Sequence, residues 1–183
     1  MTRSRIIVTT VISLVAIALV AGIVVNWPSS SPQVAQEDNE SPLISQPRPT
    51  FTMPDLNGTH RAVKEWDGKV LAVNFWATWC EPCKQEIADF NTLQKQYGAR
   101  GLQFVGVAID NLESVQDYVK TRAFDYPVLV GGEEQAVQVA TRYGDDQGVV
   151  PYTVFIDRKG RIAFVQFGQI SQDLARQVIE SLL

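Results

Sequence analysis

The pattern of hydrophobic and polar positions divides the chain into three stretches. From Ile6 to Val25 every residue is apolar or small, and no charge interrupts the run. Its polar members, Thr9, Thr10, Ser13 and Gly22, are all short. As a helix, a run of this length spans roughly 30 Å, the hydrocarbon thickness of a bilayer. From Asn26 to Thr50 the apolar content falls away. Pro28, Pro32, Pro42, Pro47 and Pro49, the run Ser29-Ser30-Ser31 and the acidic Glu37, Asp38 and Glu40 take its place. Few of these side chains can be buried, so ordering them costs more entropy than it recovers. The expectation is a flexible linker reaching roughly 30 Å if coiled and about 75 Å if polyproline-like.

From Phe51 to Leu183 the pattern is that of a folded domain. Phe51 to Val63 reads as a hairpin with Asn57-Gly58 as its turn signal. Val70 to Trp76 is a continuous apolar run, as expected of a central strand covered on both faces. Ile87, Phe90, Leu93 and Tyr97 recur at helical spacing and predict a helix from Pro82 to Tyr97. Pro82 suits its first turn, where a missing N–H is harmless. Leu102 to Ile109 is a second buried strand, and Pro127 to Val130 a short one. Asn111 caps a predicted helix through Thr121, and Glu133 to Tyr143 is a further helix with acidic residues in its first turn. Tyr152 to Ile156 and Arg161 to Phe167 form a hairpin across Asp157-Arg158-Lys159-Gly160. Ser171 caps the last helix to Leu183. This order implies an α/β fold with a mixed central sheet flanked by helices.

Charge and composition narrow the partners. The 183 residues carry a net charge of −4 and contain no run of basic residues, which argues against nucleic acid. Two cysteines and one histidine, His60, exclude a scaffold stapled by several disulfides. Arg3 and Arg5 precede the apolar run, whereas its far flank is acidic. Residues 1–5 are therefore expected in the cytoplasm, 6–25 as a single-pass anchor in the cytoplasmic membrane, and the rest outside it. The alternative is a cleaved signal peptide, for which Gln33-Val34-Ala35 is a poor cleavage site and the apolar run is long. No cysteine lies near the run to support a lipoprotein, and an all-round apolar helix before a linker has nothing to pack against as a core element. Either anchor or signal places the cysteines where disulfides persist.

The chemistry resides in Trp79-Cys80-Glu81-Pro82-Cys83, between a buried strand and a helix start. A helix N-terminus presents unpaired N–H groups and partial positive charge, which favour thiolate. Thiolate is the species that attacks a disulfide. Cys80 is thus expected as nucleophile and Cys83, one turn in and more buried, as resolving thiol. Glu81 opposes thiolate formation by its charge. Structural zinc needs about four ligands, and only His60 could join the two cysteines. Haem attachment needs a histidine where Lys84 stands. A copper-delivery role would also look to His60, which reads as a surface hairpin residue. A purely structural bridge gains little from so short a loop. No metal or cofactor is expected.

The stretch Val73-Asn74-Phe75-Trp76-Ala77-Thr78-Trp79-Cys80-Glu81-Pro82-Cys83-Lys84-Gln85-Glu86 resembles the active site of the TlpA/ResA-like thioredoxin-fold disulfide reductases. The resemblance extends over Phe51 to Leu183. Phe51 to Val63 is similar to that family's N-terminal hairpin, and Asn111 to Tyr143 to its helix-and-strand insertion. Val150-Pro151-Tyr152-Thr153 resembles its cis-proline strand, which implies that Pro151 is cis and faces the cysteines. Glu86 matches the family's acidic residue one turn beyond Cys83. Asn74 stands where thioredoxin has a buried aspartate. Asn cannot take a proton, so Glu86 becomes the candidate base. Trp79 is expected to shield the site and Trp76 to lie in the core.

The resemblance implies a reductase of disulfides in exported proteins, apocytochrome c among them, supplied with electrons by a membrane donor. An oxidant or isomerase would use the same dithiol in reverse. A tethered metal- or protein-binding module without turnover is the reading from another class.

Overall fold

The computed structural model describes residues 41–183, so the expected n-region, anchor and linker as far as residue 40 lie outside the described residues. Among the described residues no helix is long and apolar enough to cross a membrane. The elements in order are β1 (Thr52–Pro54), β2 (His60–Ala62), β3 (Val70–Trp76), α1 (Glu81–Tyr97), β4 (Leu102–Ala108), α2 (Leu112–Thr121), β5 (Val128–Leu129), α3 (Glu133–Arg142), β6 (Tyr152–Ile156), β7 (Ile162–Phe167) and α4 (Gln172–Leu182).

Five strands form a mixed sheet in the order β5-β4-β3-β6-β7. β3 pairs in parallel with β4, and β4 with β5. β6 runs antiparallel to β3, and β7 to β6. The apolar run from Val70 to Trp76 is buried at every position because β3 is central and both faces are covered. Alternation along it sorts the core into two layers. Leu71, Val73 and Phe75 join Val139 and Ala140 of α3, and Tyr143 just past it, on one face. Val70 and Ala72 join Phe90, Leu93 and Tyr97 of α1 and Ile179 of α4 on the other. A third cluster closes the end of the α1 face with Trp76, Cys80, Cys83, Ile87, Val115 and Val128.

The predicted caps are present. Asn111 Oδ1 accepts the Ser114 amide at 2.9 Å, and Ser171 Oγ the Leu174 amide at 3.3 Å. The N-terminal hairpin forms, and its turn contains Asn57-Gly58. The organising group, however, is Asp55, whose carboxylate accepts the Asn57 and Thr59 amides at 2.9 and 3.0 Å. β1 and β2 make a separate two-stranded sheet, joined to the edge of the main one by the bond from Val130 N–H to Pro54 O.

One expected boundary is corrected. The linker was to end at residue 50, yet residues 41–50 belong to the folded unit. Leu43 and Ile44 pack on the α3-side core. The Ser45 amide donates to Ile162 O and the Ile162 amide to Gln46 O. Arg48 pairs with Asp67. The segment lies along β7 as a strap, because two apolar residues and a free sheet edge outweigh a proline-rich composition.

Candidate active site

Cys80 is the N-cap of α1, and its sulfur accepts the Cys83 amide at 3.3 Å. Pro82 falls in the first turn, as its missing N–H predicts. Cys80 and Cys83 are joined as a disulfide with their Cα atoms 5.4 Å apart. Cys83 is fully buried and Cys80 is 5% exposed, the expected order. The bridge therefore lies at the positive end of a 17-residue helix, with Cys80 the less deeply buried of the pair.

The loop that delivers Cys80 is held by a residue that sequence reasoning missed. Asp110, just past β4, accepts the Thr78 hydroxyl at 2.6 Å and the Thr78 amide at 3.1 Å through Oδ2. Its Oδ1 accepts the Asn111 amide at 2.8 Å. An acidic residue directly after a buried strand was the available signal. Beside Cys80, Trp79 is 67% exposed. Glu81 is at the surface and paired with Lys84 Nζ at 2.6 Å, which holds its carboxyl below the usual range. The pairing weakens the charge expected to oppose a thiolate. Trp76 is wholly buried, as expected.

One turn into α1 below Cys83, Glu86 is fully buried. Its Oε1 accepts the Ile170 amide at 2.7 Å. Its Oε2 accepts Asn74 Nδ2 at 3.4 Å, and Asn74 donates also to Thr153 Oγ1 at 3.0 Å. Burial pushes the Glu86 carboxyl up to about 7, against the two hydrogen bonds that lower it. Thr153 and Ile170 were invisible as site residues in the sequence. Both reach Glu86's neighbourhood only through the sheet and the entry to α4.

The Val150–Pro151 peptide is cis. Val150 packs on the cluster that contains both cysteines, and Pro151 O accepts the Gly168 amide at 2.9 Å. The loop leading in is tied by the buried Asp145, which accepts the Gln147 and Val149 amides at 3.2 and 3.1 Å. The exposed large hydrophobics among the described residues are Trp79, Leu112, Val149 and Phe167. All four sit at the end of the sheet that carries the disulfide. His60 is exposed on β2. Among the described residues no group of three His, Cys, Asp or Glu side chains could hold a metal ion. Chemically, the arrangement offers a dithiol–disulfide pair beside a buried carboxyl able to change protonation near neutral pH.

Comparison with known proteins agrees with that chemistry. Residues 44–165 match the AhpC/TSA family. The thiol-disulfide oxidoreductase ResA of Geobacillus thermodenitrificans is 26% identical over 140 residues, covering 76% of this chain and 78% of that protein. A thioredoxin-family thiol:disulfide interchange protein from Chlorobium tepidum is 32% identical, with a TM-score of 0.66 over 74% of this chain and 94% of that one. A second structure from Chlorobium tepidum, described as thiol:disulfide interchange protein DsbE, is 25% identical. Its TM-score is 0.70 over 76% of this chain and 96% of that one.

Proposed function

We infer the role of this chain from one premise: it belongs to the AhpC/TSA family and is a thiol–disulfide oxidoreductase of the ResA and DsbE type, with a thioredoxin-like fold. Its substrates are disulfide-containing proteins. The finer reading is a reductase tethered by residues 6–25 to the cytoplasmic membrane, with its dithiol on the extracytoplasmic side. It reduces disulfides of exported proteins, including those met in cytochrome c maturation, and a membrane electron donor restores it.

The observation that carries the reading is the Cys80–Cys83 bridge at the start of α1 with the buried Glu86 one turn below. In the reduced protein the Cys80 thiolate attacks one sulfur of a substrate disulfide. The S–S bond breaks, a mixed disulfide forms, and the other substrate sulfur leaves as thiolate. Cys83 then loses its proton and attacks Cys80, which releases the second substrate sulfur and closes the bridge. Two electrons pass from the dithiol to the substrate. Cys83 is buried, so its proton needs a local acceptor. Glu86 takes that part, since burial holds it near the working pH. Trp79, Val149 and the Val150–Pro151 backbone form the docking rim, where apolar contact is available to an extended segment.

Partner trapping tests the reading. A Cys83→Ser protein expressed in its membrane holds substrates on Cys80 as mixed disulfides, and Cys80→Ser holds none. Absence of any disulfide-linked exported protein from the Cys83→Ser trap, or insulin reduction that survives Cys80→Ser, overturns it.

A further inference from the structure

Glu86 faces a polar row that crosses three strands. Thr153 on β6, Asn74 on β3 and Gly106 on β4 are neighbours in register. The two groups that bind the carboxyl, the Ile170 amide and Asn74 Nδ2, only donate. Neither can accept a proton from Glu86, and the carboxyl has no exposed surface of its own.

The row opens at Gly106. A Cβ there would lie 3.0 Å from Trp76 Nε1 and 3.5 Å from the Tyr126 ring, so the indole edge and the phenol ring fill the place of the missing side chain. Four polar atoms of this layer are buried without a partner: Asn74 Oδ1, Trp76 Nε1 and the Tyr126 hydroxyl, with the hydroxyl of Tyr118, whose ring packs on Trp76, as the fourth. Buried polar atoms are rarely left unpaired. An acceptor, a donor and a hydroxyl that does both can together hold one bridging water beside a carboxyl. The Tyr126 phenol is held far above its ordinary range, first by burial and then by the Glu86 carboxylate and the Tyr118 phenol. It therefore keeps its proton, which it can donate to such a water. Tyr126 also lines a surface cleft of about 320 Å³ with Val119 and Phe124, but its hydroxyl stays buried on the inner side.

We propose that Tyr126 is a positioning residue for Glu86: with Trp76 Nε1 and Asn74 Oδ1 it holds a bridging water that donates to the Glu86 carboxylate and keeps it poised for the Cys83 proton. The inference rests on the reading of Glu86 as the base for Cys83. The Cys83 S–H bond breaks as a Glu86 O–H bond forms. The proton stays on Glu86 while the Cys83 sulfur attacks Cys80, and the bridging water turns to accept from the carboxyl. Tyr126 keeps its own proton throughout. Groups facing Glu86 are Cys83 and Asp89 on its own helix, Asn74 on β3, Thr153 on β6, the Ile170 amide ahead of α4, and Tyr126. Of these only Cys83, Asp89 and Tyr126 titrate.

The experiment follows resolution of a mixed disulfide between the reduced full-length protein and a glutathionylated peptide, by stopped-flow fluorescence from pH 5 to 9. It uses wild type, Tyr126→Phe, Glu86→Gln and the double variant. The wild-type rate should show an inflection near pH 7, which Glu86→Gln removes. Tyr126→Phe should slow resolution at least threefold, shift the inflection upward and alter the solvent deuterium isotope effect, with an unchanged thermal midpoint. In the Glu86→Gln background it should add nothing. A Tyr126→Phe protein with the wild-type profile, or one equally slowed with and without Glu86, overturns the role of Tyr126. A Glu86→Gln protein that keeps the inflection overturns the reading beneath it.

Discussion

The backbone N–H of Ile170 donates to Glu86 Oε1 at 2.7 Å across 84 residues of sequence. The bond joins the entry of α4 to the buried carboxyl of α1 and favours its ionised form. Burial nevertheless wins, and the carboxyl stays up at about 7. A group so poised changes protonation near neutral pH, as the proposed base for Cys83 must.

The poise has a consequence for stability. The ordinary value for this carboxyl is 4.5. Between 4.5 and about 7 the folded protein holds a proton that the unfolded chain has released. Glu86's contribution is therefore complete below pH 4.5 and is lost as pH rises toward 7, by up to about 3 kcal/mol. Urea unfolding of wild type and Glu86→Gln at pH 5 and pH 8 measures it. The variant should gain on wild type at pH 8. An equal difference at the two pH values would show that the carboxyl is not raised.

Asp110 aims the nucleophile without touching it. Asp110→Ala leaves the Thr78 amide and hydroxyl unpaired, at a cost of roughly 1–3 kcal/mol. Insulin reduction should fall roughly ten- to a hundredfold as Cys80 loses its placement. Asp110→Asn keeps one acceptor and should lie between. Full activity in the alanine variant would remove Asp110 from the site.

Trp79 separates docking from folding. Because it is 67% exposed, Trp79→Ala should change stability by no more than about 0.5 kcal/mol. Loss of an aromatic contact at an interface should raise KM for a protein disulfide several-fold, while a small disulfide such as oxidised glutathione reacts as before. Equal effects on both substrates would mean that Trp79 acts on the cysteines, not on docking.

The strap makes its own prediction. Gly144 has φ +97°, and a Cβ there would run into Leu43. Gly144→Ala should therefore cost about 2 kcal/mol or more, through backbone strain and displacement of the strap. Leu43→Ala, at a half-buried position, should cost about 1–2 kcal/mol. Thermal unfolding of the two variants and their double, in which the clash is relieved, reads the coupling between them.

What the chain determines by itself is local. Mostly apolar runs, broken by Asn74 in β3 and Gln103 in β4, mark these strands, since a strand covered on both faces needs no alternation. The Asn111 and Ser171 caps, the first-turn Pro82 and the Cys80-x-x-Cys83 spacing are decided within a few residues, because a helix end is satisfied by its immediate neighbours. Tertiary structure alone decided the rest. Asp110 meets Thr78 across 32 residues, Thr153 meets Asn74 across 79, and Ile170 meets Glu86 across 84. The strap 41–50 looked like linker because its composition is that of one. It is ordered because an edge strand and an apolar surface lie where it passes. The value of Glu86 belongs to the same class: a glutamate one turn beyond a cysteine is written in the sequence, but its rise to about 7 comes from burial away from bulk solvent, which only packing produces.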